Sequence, residues 1–177
     1  MTSAADAATR ASQLRIMLFD VDGVLTDGTL LYGEDGEKIK VFNTLDGHGL
    51  KMLAEVGIRT GIITGRRSRA LALRCADLGI SILHQGVADK AAVFANVLSE
   101  CGLQPDQAGY MGDDVVDLPV MVRCAFAAAV PAAPIDVRSR AHYVTQADGG
   151  RGAAREVCDF ILRAQGKFDA LIAGYLA

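Results

Sequence analysis

Short apolar runs recur along the chain, each followed by a stretch with helical spacing. Residues 15–19, 58–64, 80–84, 108–111 and 126–130 are apolar and bounded by Gly, Asp or Pro. Strands buried on both faces of a parallel sheet have this pattern. Between them, residues 48–55, 68–78, 90–101 and 115–122 repeat apolar positions at helical intervals. Residues 153–165 make a last amphipathic helix, and a short helix is expected after Gly166. Strands alternating with helices predict an α/β fold with a doubly wound, mainly parallel sheet.

One segment breaks the alternation. Residues 29–43 read TLLYGEDGEKIKVFN, two β-rich arms around GEDGE, with Asp35 and Gly36 as the hairpin signal. Residues 38–42 alternate charged and apolar positions. A lone two-stranded hairpin is marginal in water, so this one is expected to pack on its own sheet or on another subunit. Residues 14–177 read as one domain. Residues 1–13, small and polar, read as a loose tail.

The length, 177 residues with 51% hydrophobic, suits one domain with a substantial core. Eighteen basic residues against 21 acidic ones give a net charge of −3, which argues against nucleic acid as a partner. The four cysteines form no C-x-x-C pair and suit buried, reduced thiols in a cytoplasmic protein. No apolar run reaches transmembrane length, and the N-terminus lacks the apolar core of a signal peptide. Small anions remain possible ligands, since they need only a local cluster of charge.

The chemistry concentrates where strands end. Asp20 and Asp22 lie two apart after the first apolar run, so in an extended chain they face the same way. In open α/β sheets this carboxyl end is where ligands bind. A cation there relieves the repulsion, and Mg²⁺ suits carboxylate and carbonyl oxygens. Alone, D-x-D-G also fits an ordinary acidic turn. A calcium loop needs glycine at its sixth position, whereas Gly23 is fourth from Asp20.

A second acidic cluster follows the run at 108–111: Asp113 and Asp114, then Asp117 one helical turn on. One of the first two fits a helix N-cap. Thr64 ends the second run before a helix, where a hydroxyl and backbone N–H groups can hold an anion. Lys90 opens a helix after the third run. A lysine in a first turn opposes the helix dipole, so it can serve a bound anion instead. Metal, cation, hydroxyl donor and carboxylate together make a set that can move a phosphoryl group.

In the order DVDGVLTDG, IITGR, a helix-opening lysine and GDDVVD, the chain resembles the haloacid dehalogenase-like phosphatases over residues 16–165. FNTLDGHG at 42–49, the hairpin before it and GGRGAAREVCDFILRAQGK at 149–167 are similar to one capless branch. That branch acts on 3-deoxy-D-manno-octulosonate 8-phosphate (KDO 8-phosphate). The resemblance implies a Rossmann-like fold with a β-hairpin insertion and no cap domain. It implies Asp20 as nucleophile, forming an aspartyl-phosphate, and Asp22 as general acid and then base. Mg²⁺ would be held by Asp20, Asp113 and the Asp22 carbonyl, with Asp114 and Asp117 supporting that loop. Thr64 and Lys90 would hold phosphoryl oxygens. Asn43, Asp46, Gly47, Lys51, Arg66 and Arg74 would contact the sugar acid, the arginines suiting its carboxylate. Leu45 and His48 depart from the arginine and tyrosine of some members, and His48 is expected at the pocket rim or as a helix cap.

Without a cap, the resemblance implies a homotetramer with hairpins meeting at its centre, each site closed by neighbours. Residues 149–152 would be a mobile flap, with Arg151 reaching the anionic substrate. The implied setting is lipopolysaccharide core-sugar synthesis. The rivals are a phosphatase of a related nine-carbon sugar acid phosphate and a non-catalytic oligomerisation module.

Overall fold

The five apolar runs become five strands of one sheet. The computed structural model describes residues 3–34 and 36–176. In chain order the elements are α1 (Ala4–Ser12), β1 (Ile16–Phe19), β2 (Leu31–Gly33), β3 (Gly36–Ile39), α2 (Thr44–Glu55), β4 (Arg59–Thr64), α3 (Arg69–Leu78) and β5 (Ile82–Gln85). Then come α4 (Lys90–Cys101), β6 (Ala108–Gly112), α5 (Leu118–Met121), β7 (Phe126–Ala129), α6 (Ile135–Arg138), β8 (Tyr143–Val144), α7 (Ala153–Ala164) and α8 (Phe168–Leu176).

The six-stranded sheet runs β5-β4-β1-β6-β7-β8 and every described pairing in it is parallel. β1 is central and all four of its residues are buried. Continuous burial needs cover on both faces. One layer holds α3 against α2 and α2 against α7, with α1 and α8 both packed on α7, and α4 packs with α5 in the other. Right-handed crossovers to either side of β1 require this division. The reversal of strand order at β1 makes the switch point of a doubly wound sheet, and the carboxyl ends of β1, β4 and β6 open there.

α2 begins at Thr44, a turn before the expected start. Asn43 caps it, its Oδ1 accepting from Leu45 N at 2.8 Å. Gly47 masked that first turn, because glycine is a poor helix former. A Cβ at Gly49 would lie 3.1 Å from Arg155 and Cys158, so the glycine admits α7 against α2. Val115–Asp117 is a 3₁₀ turn that leads into α5, rather than the single helix expected over 115–122.

The expected loose tail is corrected. Residues 4–12 form α1, which Ser3 caps by accepting from Asp6 N at 3.2 Å. Its small alanines Ala7 and Ala11 are buried, and Arg10 Nη1 donates to Ala125 O at 3.0 Å. The short elements α6 and β8 had no periodic signal. The hairpin β2–β3 is antiparallel and forms its own two-stranded sheet. Asp35 of its turn signal lies outside the described residues. Leu30, Leu31, Tyr32, Ile39 and Val41 are exposed on or beside it.

The expected state of the thiols fits: Cys75, Cys124 and Cys158 are buried and Cys101 is partly buried. Burial pushes the Cys75 thiol up to about 11 and the Cys124 thiol up to about 12. No helix among the described residues is long and apolar enough to cross a membrane.

Candidate active site

Asp20 follows β1 directly, its N–H bonded to Met111 O of β6 at 2.9 Å. This ties the end of β1 to the loop after β6. Asp20, Asp113 and Asp117 each offer a carboxylate oxygen, and those oxygens lie within 4.8 Å of one another. Gly23 makes the gathering possible. A Cβ there would lie 2.0 Å from Asp113 Oδ2, and the φ of +90° already disfavours any other residue.

Asp117 differs from the other two. It is fully buried, and its Oδ1 accepts from Lys90 Nζ at 2.7 Å and Tyr110 OH at 2.6 Å. Its Oδ2 accepts from Asp113 N at 3.0 Å and Asp114 N at 3.2 Å. Both oxygens are committed, so Asp117 shapes the loop that presents Asp113. Asp114 takes the N-cap position of the 3₁₀ turn, accepting from Val115 N at 2.7 Å. Tyr110 escaped the sequence reading. A hydroxyl within a wholly buried strand needs a partner, and that requirement was the signal.

Asp20 and Asp113 remain for a cation. Lys90 Nζ stands 3.0 Å from Asp20 Oδ1, yet the geometry leaves that buried oxygen outside any hydrogen bond. Burial first, then the Asp117 charge, pushes the Asp20 carboxyl up to about 6. Burial, then the charges of Asp20 and Asp117, pushes Asp113 up to about 7. Burial works to lower the Lys90 ammonium, but Asp20 and Asp117 outweigh it and hold the group above its ordinary value. An under-bonded carboxylate oxygen, a second carboxylate facing it and a turn shaped by Gly23 fit a hard divalent ion with oxygen ligands.

A proton linkage follows. Both carboxyls hold protons in the native state over a range where the unfolded chain has lost them. Metal-free stability should therefore decline as pH rises from about 4 to about 7. A cation needs both groups ionised. The rise in Tm on adding Mg²⁺ should then be larger at about pH 8 than at about pH 5.5. Paired thermal melts check this, and a pH-independent increment would contradict it.

Thr64 is buried at the end of β4, and its carbonyl accepts from Val87 N at 3.1 Å. Lys90 opens α4, where Asp89 is the cap, accepting from Ala92 N at 2.9 Å. Asp22 sits in the turn after Asp20 and points elsewhere than the acid cluster. Lys40 Nζ pairs with its Oδ1, and Arg66 Nε lies 3.6 Å from its Oδ2. Arg66 Nη2 also donates to Tyr32 OH at 2.8 Å and Glu37 Oε2 at 2.9 Å.

The expected sugar contacts divide. Asp46 as a residue is only 2% exposed, and its carboxylate accepts from Gly152 N at 3.3 Å and Arg155 N at 2.8 Å. Asp46 on α2 therefore caps α7, whose own N-cap is a glycine, and direct contact between its carboxylate and a sugar is corrected. Burial pushes that carboxyl up, against the pull of the α7 amides. Asn43 Nδ2 donates to Gly150 O at 3.3 Å, and Arg74 Nη2 donates to Asn43 O at 3.4 Å. Gly47 leaves room for Arg74, since a Cβ there would lie 2.2 Å from its Nη2. Lys51 is exposed on α2. His48, in the second turn of α2, meets the Tyr175 ring edge-on at 5.7 Å. It packs on α8, and Asn43 rather than His48 caps α2.

Residues 149–152 lie against the turn after β1. Gly150 N donates to Val24 O at 2.9 Å. A Cβ at Gly149 would lie 1.8 Å from Gly23 O, so close approach accounts for that glycine. Arg151 is largely exposed, 4.0 Å from Asp27 Oδ2. A cleft lined by Gly23, Asp27, Asp113, Asp148, Gly149 and Arg151 runs between this segment and the carboxylates.

No family model matches the chain. The 3-deoxy-D-manno-octulosonate 8-phosphate phosphatase KdsC of Escherichia coli strain K12 is 44% identical over 165 residues, covering 93% of this chain and 88% of that one. The crystal structure of the Yersinia pestis phosphatase of the same name has a TM-score of 0.90 at 44% identity, covering 93% of this chain and 89% of that one. The Moraxella catarrhalis phosphatase, solved with magnesium, phosphate and KDO, has a TM-score of 0.93 at 38% identity, covering 96% of this chain and 98% of that one. With its acid cluster at the switch point of a parallel sheet and such relatives at nearly full coverage, the chain belongs to the KDO 8-phosphate phosphatases, phosphoric monoester hydrolases of the haloacid dehalogenase-like superfamily.

Proposed function

We propose that this chain hydrolyses KDO 8-phosphate to KDO and phosphate, using Mg²⁺ and an aspartyl-phosphate on Asp20. The observation that carries the reading is that the buried Asp20 and the half-buried Asp113 bring carboxylate oxygens within 4.8 Å of each other beside Lys90. Asp20, Asp113 and the Asp22 carbonyl would hold the ion. Bound there, it neutralises the two carboxylates and the negative charge of the phosphoryl group.

Asp20 attacks phosphorus as the bond to the sugar oxygen breaks, and Asp22 gives that oxygen its proton. Water then attacks the phosphorus of the acyl phosphate while Asp22 takes the proton back, freeing phosphate and restoring Asp20. Thr64 and Lys90 hold phosphoryl oxygens, Lys90 already lying within ion-pair distance of the nucleophile. Asn43, Gly47, Lys51, Arg66, Arg74 and Arg151 are assigned to the sugar side. Arg66 reaches its substrate only by sharing the contacts it makes with the hairpin.

The exposed apolar residues on the hairpin support a homotetramer in which hairpins meet. The setting is cytoplasmic lipopolysaccharide core-sugar synthesis. Phosphate release in Mg²⁺ from KDO 8-phosphate and from a nine-carbon sugar acid 9-phosphate tests the reading. The eight-carbon compound should be preferred by about 10-fold or more in kcat/KM. A reversed preference would replace the substrate, and no release from either would end the phosphatase assignment.

A further inference from the structure

The hairpin reaches back to the turn after β1 through a charged array in which the reaction scheme gives tasks to Asp22 and Arg66 but none to Lys40 and Glu37. Lys40, just after β3, has a side chain only 4% exposed, and its ammonium pairs with Asp22 Oδ1. The same ammonium lies 3.3 Å from Glu37 Oε1. Glu37 Oε2 takes Arg66 Nη2 at 2.9 Å, and Arg66 Nε faces Asp22 Oδ2 at 3.6 Å. Two acids and two bases thus close a ring in which Lys40 holds Asp22 Oδ1 while Arg66 Nε, without a hydrogen bond of its own, lies within ion-pair reach of Oδ2. Tyr32 secures the Arg66 corner, its hydroxyl 2.8 Å from Nη2 and its ring 5.8 Å below the guanidinium.

This ring differs from an ordinary surface pair, which contributes little to stability. The Lys40 side chain gives up nearly all its solvent, and much of the rotamer freedom of a long flexible chain, to stand between two carboxylates. The Glu37 carboxylate is held below its usual range: burial acts against that, and the Arg66 hydrogen bond with the Lys40 charge outweighs it. The ring is electrically balanced. A dianionic phosphate monoester approaching the turn therefore meets no net repulsion from Asp22 and Glu37.

We propose that Lys40 and Glu37 are positioning residues for the reaction proposed above: through the ring with Arg66 they aim the Asp22 carboxyl at the oxygen that leaves with the sugar. The proposal rests on the assignment of Asp22 as the acid that protonates that oxygen. Misplacing such a group by about 1 Å can cost on the order of 10²-fold in rate. The hairpin, outside the main sheet, acts on the chemistry through these two residues by way of Asp22.

The leaving group separates positioning from mere folding. KDO 8-phosphate expels an alkoxide, which needs a proton, whereas p-nitrophenyl phosphate expels a nitrophenolate, which leaves without one. In Lys40→Met, kcat on KDO 8-phosphate should fall by about 10- to 100-fold, and kcat on p-nitrophenyl phosphate by less than about 3-fold. The Mg²⁺-induced rise in Tm should match wild type, because the variant leaves Asp20 and Asp113 in place. Glu37→Gln, which loosens the ring without emptying it, should show the same leaving-group dependence at smaller amplitude, and it serves if Lys40→Met folds poorly. Release of phosphate from both compounds by the wild type in the same assay tests the phosphatase reading separately. Equal losses on the two compounds, or no loss on KDO 8-phosphate, would overturn the positioning role alone.

Discussion

Asp20→Asn should lower phosphate release from KDO 8-phosphate by at least about 10³-fold, because an amide oxygen cannot form the covalent intermediate. The same change should leave the metal-free fold intact or slightly more stable. Burial and Asp117 already penalise the ionised form of Asp20, and an amide carries no such penalty. Against this, the amide forfeits the ion pair with Lys90, which keeps a partner in Asp117 at 2.7 Å. The Mg²⁺-dependent rise in Tm should shrink sharply, since one of two carboxylates is gone. Steady-state kinetics and thermal melts on the same preparation check both halves. Comparable turnover in the variant and wild type would remove Asp20 from the mechanism.

Asp117→Ala should be the most destabilising of the single changes considered. The residue is wholly buried and accepts from Lys90, Tyr110, Asp113 N and Asp114 N. Its removal leaves a buried ammonium with one fewer counter-charge, two amides without partners, and a phenol with only the longer contacts to Lys90 at 3.4 Å and Ile63 O at 3.5 Å. Breaking one side of a buried charged network costs about 3–5 kcal/mol. One effect opposes this: the loss of a like charge eases ionisation of Asp20 and Asp113. That gain acts through space, while four bonds in a dry site are lost outright, so destabilisation wins. For a chain of this size Tm should fall by roughly 10 °C. A melt within a degree or so of wild type would mean that water or a shifted Lys90 fills the gap.

The sheet and the acid cluster were legible because each rests on a local pattern. Apolar runs ending in Asp, Thr or a helix-opening Lys mark strands and their carboxyl ends, and the fold brings those ends together. Which of Asp113 and Asp114 takes the cap was not legible, since an aspartate suits that position at either residue and only the 3₁₀ turn picks Asp114. What stayed hidden depends on tertiary contact. Asp46 reads as a candidate ligand until α7 arrives with an uncapped glycine end. Gly149 reads as a hinge until its distance from Gly23 O shows that bulk is what it avoids. Lys40 sits in a visible charge alternation, but nothing in the order of residues says that β3 will fold back onto Asp22. α1 was missed because alanines at 7 and 11 look like tail composition until they fill the space against α7.

The placement of β1 has a bearing on how the polypeptide is made. Asp20 leaves the ribosome early, yet Lys90, Asp113 and Asp117, which give its carboxylate a reason to be there, come from the second half of the chain. β1 itself lacks its β6 neighbour until Ala108–Gly112 emerges. Nascent chains halted before that point therefore carry a bare apolar strand with an acid at its tip, and should depend on chaperones far more than chains released at full length.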